Sequence, residues 1–98
     1  MNDVYKALSN PVRRAVIARL RQGPQSAGEL AGLFELSKPT LSGHFAVLKE
    51  AGLIEAERDG TTIIYHLKLS VLEEALTGAM ELFGIGTEAE RQKIEKSG

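Results

Sequence analysis

The segment LSKPTLSGHFAVLKEAGLI, residues 36–54, combines helical spacing with an outward face that is suited to binding. Leu41, Phe45 and Leu48 recur at i, i+4 and i+7, which predicts the buried face of one helix. The opposite side carries small residues and hydroxyls, concentrated at residues 37–44, where a solvated helix usually has long charged side chains. Slim side chains allow close approach to the major groove of DNA, and hydroxyl or imidazole groups can bind phosphates and base edges. The predicted outward residues are Pro39, Thr40, Gly43 and Val47, flanked by Ser42 and His44.

Both groups of candidate DNA-binding residues have a simpler explanation. On the helix, Ser37 would only cap the first turn, and Thr40 and Ser42 would be tolerated surface residues, as would His44. Upstream, the pair Arg13-Arg14 either contacts backbone phosphates or forms interior salt bridges. The residue types alone leave both alternatives open.

Metal binding and catalysis find no support in the residue types. His44 and His66 have no His, Asp or Glu at the i+3 or i+4 spacing that a helical metal site uses. The chain contains no Cys, which excludes disulfides, thiolate ligands and cysteine nucleophiles. It has no phosphate-cradling glycine pattern and no carboxylate pair beside an apolar pocket. We therefore expect neither an enzyme nor a bound cofactor or metal.

Cap signals predict two helices before the candidate binding segment begins. Asn10-Pro11 is typical of a helix start, with Asn10 as the N-cap, and Gly23-Pro24 ends the helical pattern. Val4, Tyr5 and Leu8 indicate a shorter helix upstream. These two helices would supply the base on which the following segment packs.

Residues 26–51 form a helix-turn-helix candidate. Ser26 followed by Glu29 is a capping box that introduces a third helix. Ser37 stands in a cap position before the fourth helix, and Gly52 ends that helix as a C-terminal glycine. A short helix joined by a tight turn to the helix with the small polar face is the arrangement that places a recognition helix in a major groove.

A β-hairpin is expected directly after the helix-turn-helix. LIEAERDG and TTIIYHLKL are two short runs around Asp59-Gly60, whose turn would supply a positive φ. Arg58 near the tip, with Thr61 and Thr62, could reach phosphates or an adjacent minor groove. The alternative for Arg58 is an ion pair within the hairpin, because three acidic residues surround it in sequence. They are Glu55, Glu57 and Asp59.

The last predicted helix carries more apolar surface than one small core needs. Ser70 is expected to cap it, and part of its stripe would face a partner. The stripe comprises Val71, Leu72, Ala75, Leu76, Ala79, Met80, Leu82 and Phe83. Residues 1–86 are expected to form one domain. The charged segment 87–98 is expected to be a frayed or disordered tail.

Composition favours one small domain with an uneven charge distribution. A chain of 98 residues buries only about two-thirds of its unfolded surface, so a partner subunit would help. Residues 1–49 hold seven basic and three acidic side chains, a net charge of +4, whereas residues 50–98 hold five and ten, a net charge of −5. The basic half can carry a polyanion site. Without a membrane-spanning run or signal-peptide pattern, we expect a cytoplasmic protein without membrane insertion.

Three segments resemble the ArsR/SmtB family of dimeric winged-helix bacterial repressors, in particular its SdpR-like subgroup, which lacks metal ligands. They are KALSNPVRRAVIARL, SAGELAGLFELSKPTLSGHFAVLKEAGLI and ERDGTTIIYHL, and they cover residues 6–67 in order. The resemblance implies an α-α-α-α-β-β-α winged helix-turn-helix that is mainly α with a β-hairpin. It also implies a homodimer, held together by the terminal helices, that represses transcription from a double-stranded DNA operator with an inverted repeat.

The resemblance also implies roles for individual residues. Members often have His or Arg where this chain has Gly43, which implies one base contact fewer. The family's DNA contacts map to Ser37, Lys38, Thr40, Ser42, Gly43 and His44, with Arg58 and Thr61 in the wing. Its dimer interface maps to Val4, Tyr5, Leu8, Leu72, Leu76, Ala79, Met80 and Phe83.

Neither the Cys ligands of the family's third helix nor the Asp and His ligands of its last helix occur in AGELAGLF or VLEEALTGAMELF. An inducer would therefore be a protein partner or a small organic ligand. The alternative function is a winged-helix protein-interaction module with little or no DNA binding. The net acidity, the acidic wing and Gly43 favour that alternative.

Overall fold

The computed structural model describes residues 2–86, so the tail predicted at residues 87–98 lies outside the described range. The elements are α1 (Asn2–Leu8), α2 (Pro11–Leu20), β1 (Gln25–Ser26), α3 (Ala27–Phe34), α4 (Lys38–Glu50), β2 (Ile54–Asp59), β3 (Thr62–Leu67) and α5 (Leu69–Leu82). The prediction of a mainly helical winged helix-turn-helix with a β-hairpin is confirmed.

The predicted N-caps of α2 and α3 are present with their hydrogen bonds. The Asn10 side-chain oxygen accepts from the N–H groups of Val12 at 2.8 Å and Arg13 at 3.2 Å. In the capping box, the N–H of Glu29 donates to Ser26 Oγ at 3.0 Å, and the N–H of Ser26 donates back to Glu29 Oε1 at 3.2 Å. These bonds satisfy backbone donors that the first helical turn leaves unpaired, which defines where each helix begins.

Two local predictions are wrong in detail. Ser70 does not cap α5: the helix begins at Leu69, and Lys68 occupies the cap position without any side-chain hydrogen bond to the helix. The hairpin turn lies one residue later than predicted, because Asp59 still pairs with Thr62 in the ladder. Gly60 has the expected positive φ of 65° and begins the two-residue connection.

The sheet contains a third strand that the cap signals did not predict. β1 pairs antiparallel with β3 through Gln25↔Tyr65 and Ser26↔Ile64, which gives the strand order β1-β3-β2. Two residues are too few to show the alternation that identifies a strand. The strand leads directly into the capping box, so the sheet holds the start of α3 against the hairpin.

The core fixes α4 against the sheet and the first two helices. Leu41, Phe45 and Leu48 are buried, as predicted, and the rings of Phe45 and Tyr65 lie with their centroids 4.2 Å apart. Burial raises the pKa of Tyr65 above its ordinary value of 10.0. Val47 was predicted to face outward, but it is half-buried and packs against the core. The small, hydroxyl-bearing side of α4 therefore lies in its first half.

Candidate nucleic-acid interface

The first turns of α4 present a continuous exposed surface. Its members, here called the α4 face, are Ser37, Lys38, Thr40, Ser42 and Gly43, all of which are exposed. Ser37 Oγ accepts from the N–H of Thr40 at 3.3 Å and donates to Thr40 Oγ1 at 2.8 Å. Because Thr40 Oγ1 accepts in this pair, its own O–H remains available to donate to a ligand. The α4 face therefore offers hydroxyls and one ammonium group without a carboxylate.

Gly43 leaves space at the middle of the α4 face. A Cβ built at this position meets no atom within 4 Å, so packing within the chain does not require a glycine here. The φ of Gly43 is not in the positive range, so the backbone conformation does not require one either. What Gly43 provides is a low point on the surface where another molecule can come close to the helix backbone.

His44 lies at the edge of the α4 face and contacts helix α2. The side chain is half-buried, and its Nδ1 is 3.3 Å from Nη1 of Arg13. The prediction that His44 faces outward to DNA therefore applies only to the part of its ring that does not contact Arg13. A DNA contact by His44 stays a prediction.

Arg13 and Arg14 do something that neither sequence-based alternative predicted. Arg13 donates through Nε to the carbonyl of Ala7 at 2.7 Å and through Nη2 to the carbonyl of Lys6 at 3.0 Å. Arg14 donates through Nη1 to the carbonyl of Leu8 at 2.9 Å. Both guanidinium groups thus donate to carbonyls in the last turn of α1, a known role for Arg near a helix C-terminus. The sequence feature that could have indicated this role is the pair of basic residues that closely follows the short helix α1.

The hairpin separates its charges between two faces. Directly paired residues share a face, so Arg58 lies with Ile63 and Tyr65 on the side toward the core, whereas Glu57 lies opposite with His66. Glu57 Oε2 is 2.7 Å from His66 Nε2, and Glu55 Oε2 is 3.7 Å from Lys68 Nζ. Within residues 2–86, Arg58 forms no ion pair, so the alternative of a charge partner within the hairpin does not occur there.

A groove of about 350 Å³ runs between the start of α3, the α4 face and the hairpin turn. Its apolar floor includes Leu41, Phe45 and Ile63, and its rim carries polar groups. The polar residues are Ser26, Lys38, Ser42, Thr61 and Thr62. No acidic residue lines this groove. The groove therefore brings the predicted wing residue Thr61 to the same concave surface as two members of the α4 face.

The predicted dimer residues fall into three groups: buried, exposed and half-buried. Val4 and Leu72 are buried in the core of the single subunit and have little surface left for a partner. Leu76, Met80 and Phe83 are exposed at 50%, 41% and 78%. The half-buried members are Tyr5, Leu8 and Ala79. Leu82 and Ile85, which were outside the predicted interface, are also exposed and extend the apolar end of α5.

Within residues 2–86 no group of three His, Asp or Glu side chains could hold a metal ion. In the same part of the chain, no helix has the length and apolar content to cross a bilayer.

A family model described as a helix-turn-helix domain matches residues 8–57. The transcriptional repressor SdpR of Bacillus subtilis (strain 168) is 37% identical over 86 residues, which cover 88% of this chain and 96% of that protein. Among solved structures, an ArsR family transcriptional regulator has a TM-score of 0.70 and 30% identity, covering 88% of this chain and 92% of its own. The transcriptional repressor BigR from Xylella fastidiosa has a TM-score of 0.66 and 31% identity, covering 88% of this chain and 87% of that chain.

Proposed function

Because this chain belongs to the ArsR/SmtB family of winged helix-turn-helix transcriptional regulators, we propose that it represses transcription as a homodimer on an inverted-repeat operator. The observation that carries this proposal is the α4 face: an exposed, slim, hydroxyl-rich surface at the start of the second helix of a helix-turn-helix. A recognition helix reads bases with the residues of its N-terminal turns, which is where these groups lie.

Two basic side chains flank the proposed contact surface. Lys38 stands in the first turn of α4, and Arg58 lies on the hairpin face away from the acids. Phosphates would bind these two cations and the hydroxyls of Thr61 and Ser42, and the bases would face Thr40 and Gly43. The acid-free groove between α4 and the hairpin turn is compatible with a DNA strand that follows both elements.

The homodimer is supported by apolar surface that the subunit leaves exposed. Leu76, Met80, Leu82 and Phe83 lie on the last two turns of α5 and directly after it, and Leu82 and Phe83 are 74% and 78% exposed. Monomeric soluble proteins rarely expose such a contiguous patch without a partner. A two-fold axis here would place the two α4 helices in successive major grooves, with half-sites about 34–36 Å apart.

The decisive experiment measures binding to promoter DNA and to a scrambled duplex by fluorescence anisotropy at about 50 and 200 mM salt. Two basic contacts per subunit, Lys38 and Arg58, make four per dimer, which predicts a salt slope of about −3.6. A fourfold rise in salt should then weaken binding roughly 150-fold. Equal affinity for both duplexes would contradict sequence-specific repression, and no binding at low salt would favour the protein-interaction alternative.

A variant pair tests whether the α4 face is the contact surface. Thr40→Glu combined with Ser42→Glu should abolish operator binding, because both positions are exposed and each added carboxylate would face phosphates. Gln22→Glu combined with Ser70→Glu adds the same charge at exposed positions outside the α4 face and is the matched control. Undiminished binding by the first variant would remove this surface from the interface.

The dimer has its own test. Met80→Lys introduces a charge into the exposed end of α5 and should shift the protein to monomers in sedimentation velocity experiments, with unchanged helical content by circular dichroism. A variant that remains dimeric would place the interface elsewhere.

A further inference from the structure

Arg13 joins two parts of the subunit with one planar side chain. Its Nε and Nη2 donate to the carbonyls of Ala7 and Lys6, at the end of α1, and its Nη1 is 3.3 Å from Nδ1 of His44 on α4. The guanidinium fork is held at two points by the backbone of α1, so the position of its third nitrogen is fixed as well. The His44 ring thus meets a rigid donor.

The chemistry of this contact determines where the proton of His44 lies. An arginine side chain has only donors, so Nδ1 of His44 must accept in this hydrogen bond. A neutral imidazole that accepts at Nδ1 carries its proton on Nε2. The two ring nitrogens are separated by Cε1 and their outward bonds diverge, so the Nε2–H group does not point at the Arg13 guanidinium.

We propose that Arg13 is a positioning residue for operator recognition: it fixes the orientation and tautomer of His44, so that α4 presents an N–H donor at Nε2. This inference rests on the proposed function, because it deepens the account of how α4 contacts DNA. A fixed donor pairs with acceptors such as a phosphate oxygen, guanine N7 and O6, adenine N7 or thymine O4. It cannot accept from the amino groups of cytosine or adenine, so it selects between base edges at the position that it meets.

Arg14 provides a matched comparison within the same helix turn. Like Arg13, it donates to a carbonyl at the end of α1, through Nη1 to Leu8 at 2.9 Å, but its hydrogen bonds do not include His44. Replacing either arginine by Met removes a cap of α1. Only the Arg13 replacement also releases the imidazole, so differences between the two variants report on His44.

The first test reads the tautomer directly. Two-bond ¹H–¹⁵N spectra of the imidazole groups should show neutral His44 with its proton on Nε2 in the wild-type protein, and Arg13→Met should produce exchange between tautomers. Arg14→Met should leave the His44 signals unchanged. His66, whose Nε2 contacts Glu57, serves as an internal reference. A wild-type proton on Nδ1, or identical His44 signals after Arg13→Met, would overturn the inference. The wild-type spectrum decides even if the variant fails to fold.

The second test is a double-mutant cycle on operator affinity. Arg13→Met should weaken binding about five-fold per subunit, or about 25-fold for the dimer, the usual size of one lost hydrogen bond in each. In a His44→Ala background, Arg13→Met should weaken binding no more than Arg14→Met does. A loss that is the same in both backgrounds would overturn the positioning role. Absence of any wild-type DNA binding would instead refute the proposed function, while leaving the tautomer result intact.

Discussion

Replacing Gly43 with Ala should stabilise the folded protein and weaken its binding to DNA. Gly43 lies within α4, its φ is not positive, and an added Cβ would meet no atom within 4 Å. The substitution therefore creates no clash in the subunit, and it removes the helix penalty of glycine, about 0.5–1 kcal/mol relative to Ala. For a domain of this size, that gain corresponds to a rise in Tm of roughly 2–8 °C.

DNA binding should respond in the opposite direction. The added methyl group would stand at the low point of the α4 face, next to Ser42 and one turn from Thr40, where the proposed DNA contact requires close approach of the helix. If the methyl group costs one hydrogen bond to DNA in each subunit, the affinity of a dimer for DNA should fall about 25-fold. A stability gain together with an affinity loss is the signature expected when glycine serves binding and not folding.

Thermal unfolding at fixed protein concentration measures the first effect, and anisotropy titration with promoter DNA measures the second. Ala46→Gly is the matched control, because Ala46 is an exposed residue of α4 outside the α4 face and its replacement reverses the helix penalty. It should lower Tm by a similar amount. A Gly43→Ala protein that is more stable and binds DNA as tightly as the wild type would refute the close-approach argument.

Three further substitutions test the local physics. Asn10→Ala removes the two cap hydrogen bonds of α2 and should lower the free energy of unfolding by about 1 kcal/mol in urea titrations. Glu35 ends α3 in the left-handed region, with φ 53°. Because glycine adopts this conformation without strain, Glu35→Gly should raise the free energy of unfolding by up to about 1 kcal/mol in the same assay. A decrease in that free energy would contradict backbone strain at Glu35. Because burial raises the folded pKa of Tyr65, stability should fall as pH rises above the unfolded value of 10.0, and Tyr65→Phe should abolish this loss in urea titrations across that range.

Much of the fold could be predicted because its signals are local. The caps at Asn10, Ser26 and Ser37 each act within three residues, and the spacing of Leu41 and Phe45 defines a buried face without reference to the rest of the chain. Local patterns do not predict structure that depends on contacts between distant parts of the chain. β1 exists because β3 pairs with it, and Val47 is covered because other elements pack against it.

In the candidate site, too, local features could be predicted from the sequence and contacts between distant residues could not. The α4 face followed from helical spacing, but the contact between Arg13 and His44 joins residues 31 positions apart. Spacing along the chain carries no information about such a pair. Cap reasoning also missed it, because the donor to the end of α1 comes from the following helix and not from α1 itself. The sequence therefore predicts the surface but not the side chain that we propose orients part of it.

The acidic residues of the hairpin argue against DNA binding, because they would repel phosphates. Strand geometry, however, places them on a different face from Arg58. Glu55, Glu57 and Asp59 are spaced by two, so the alternation of a strand places them on one face and Arg58 on the other. Glu55 Oε2 is also 3.7 Å from the ammonium nitrogen of Lys68, and Glu57 Oε2 is 2.7 Å from His66 Nε2, so both carboxylates have partners within the hairpin region. If Arg58 is the wing contact, Arg58→Gln should weaken operator binding and lower the salt slope, whereas Glu57→Gln should change both much less. Equal effects would mean that the hairpin acts through its net charge and not through one presented cation.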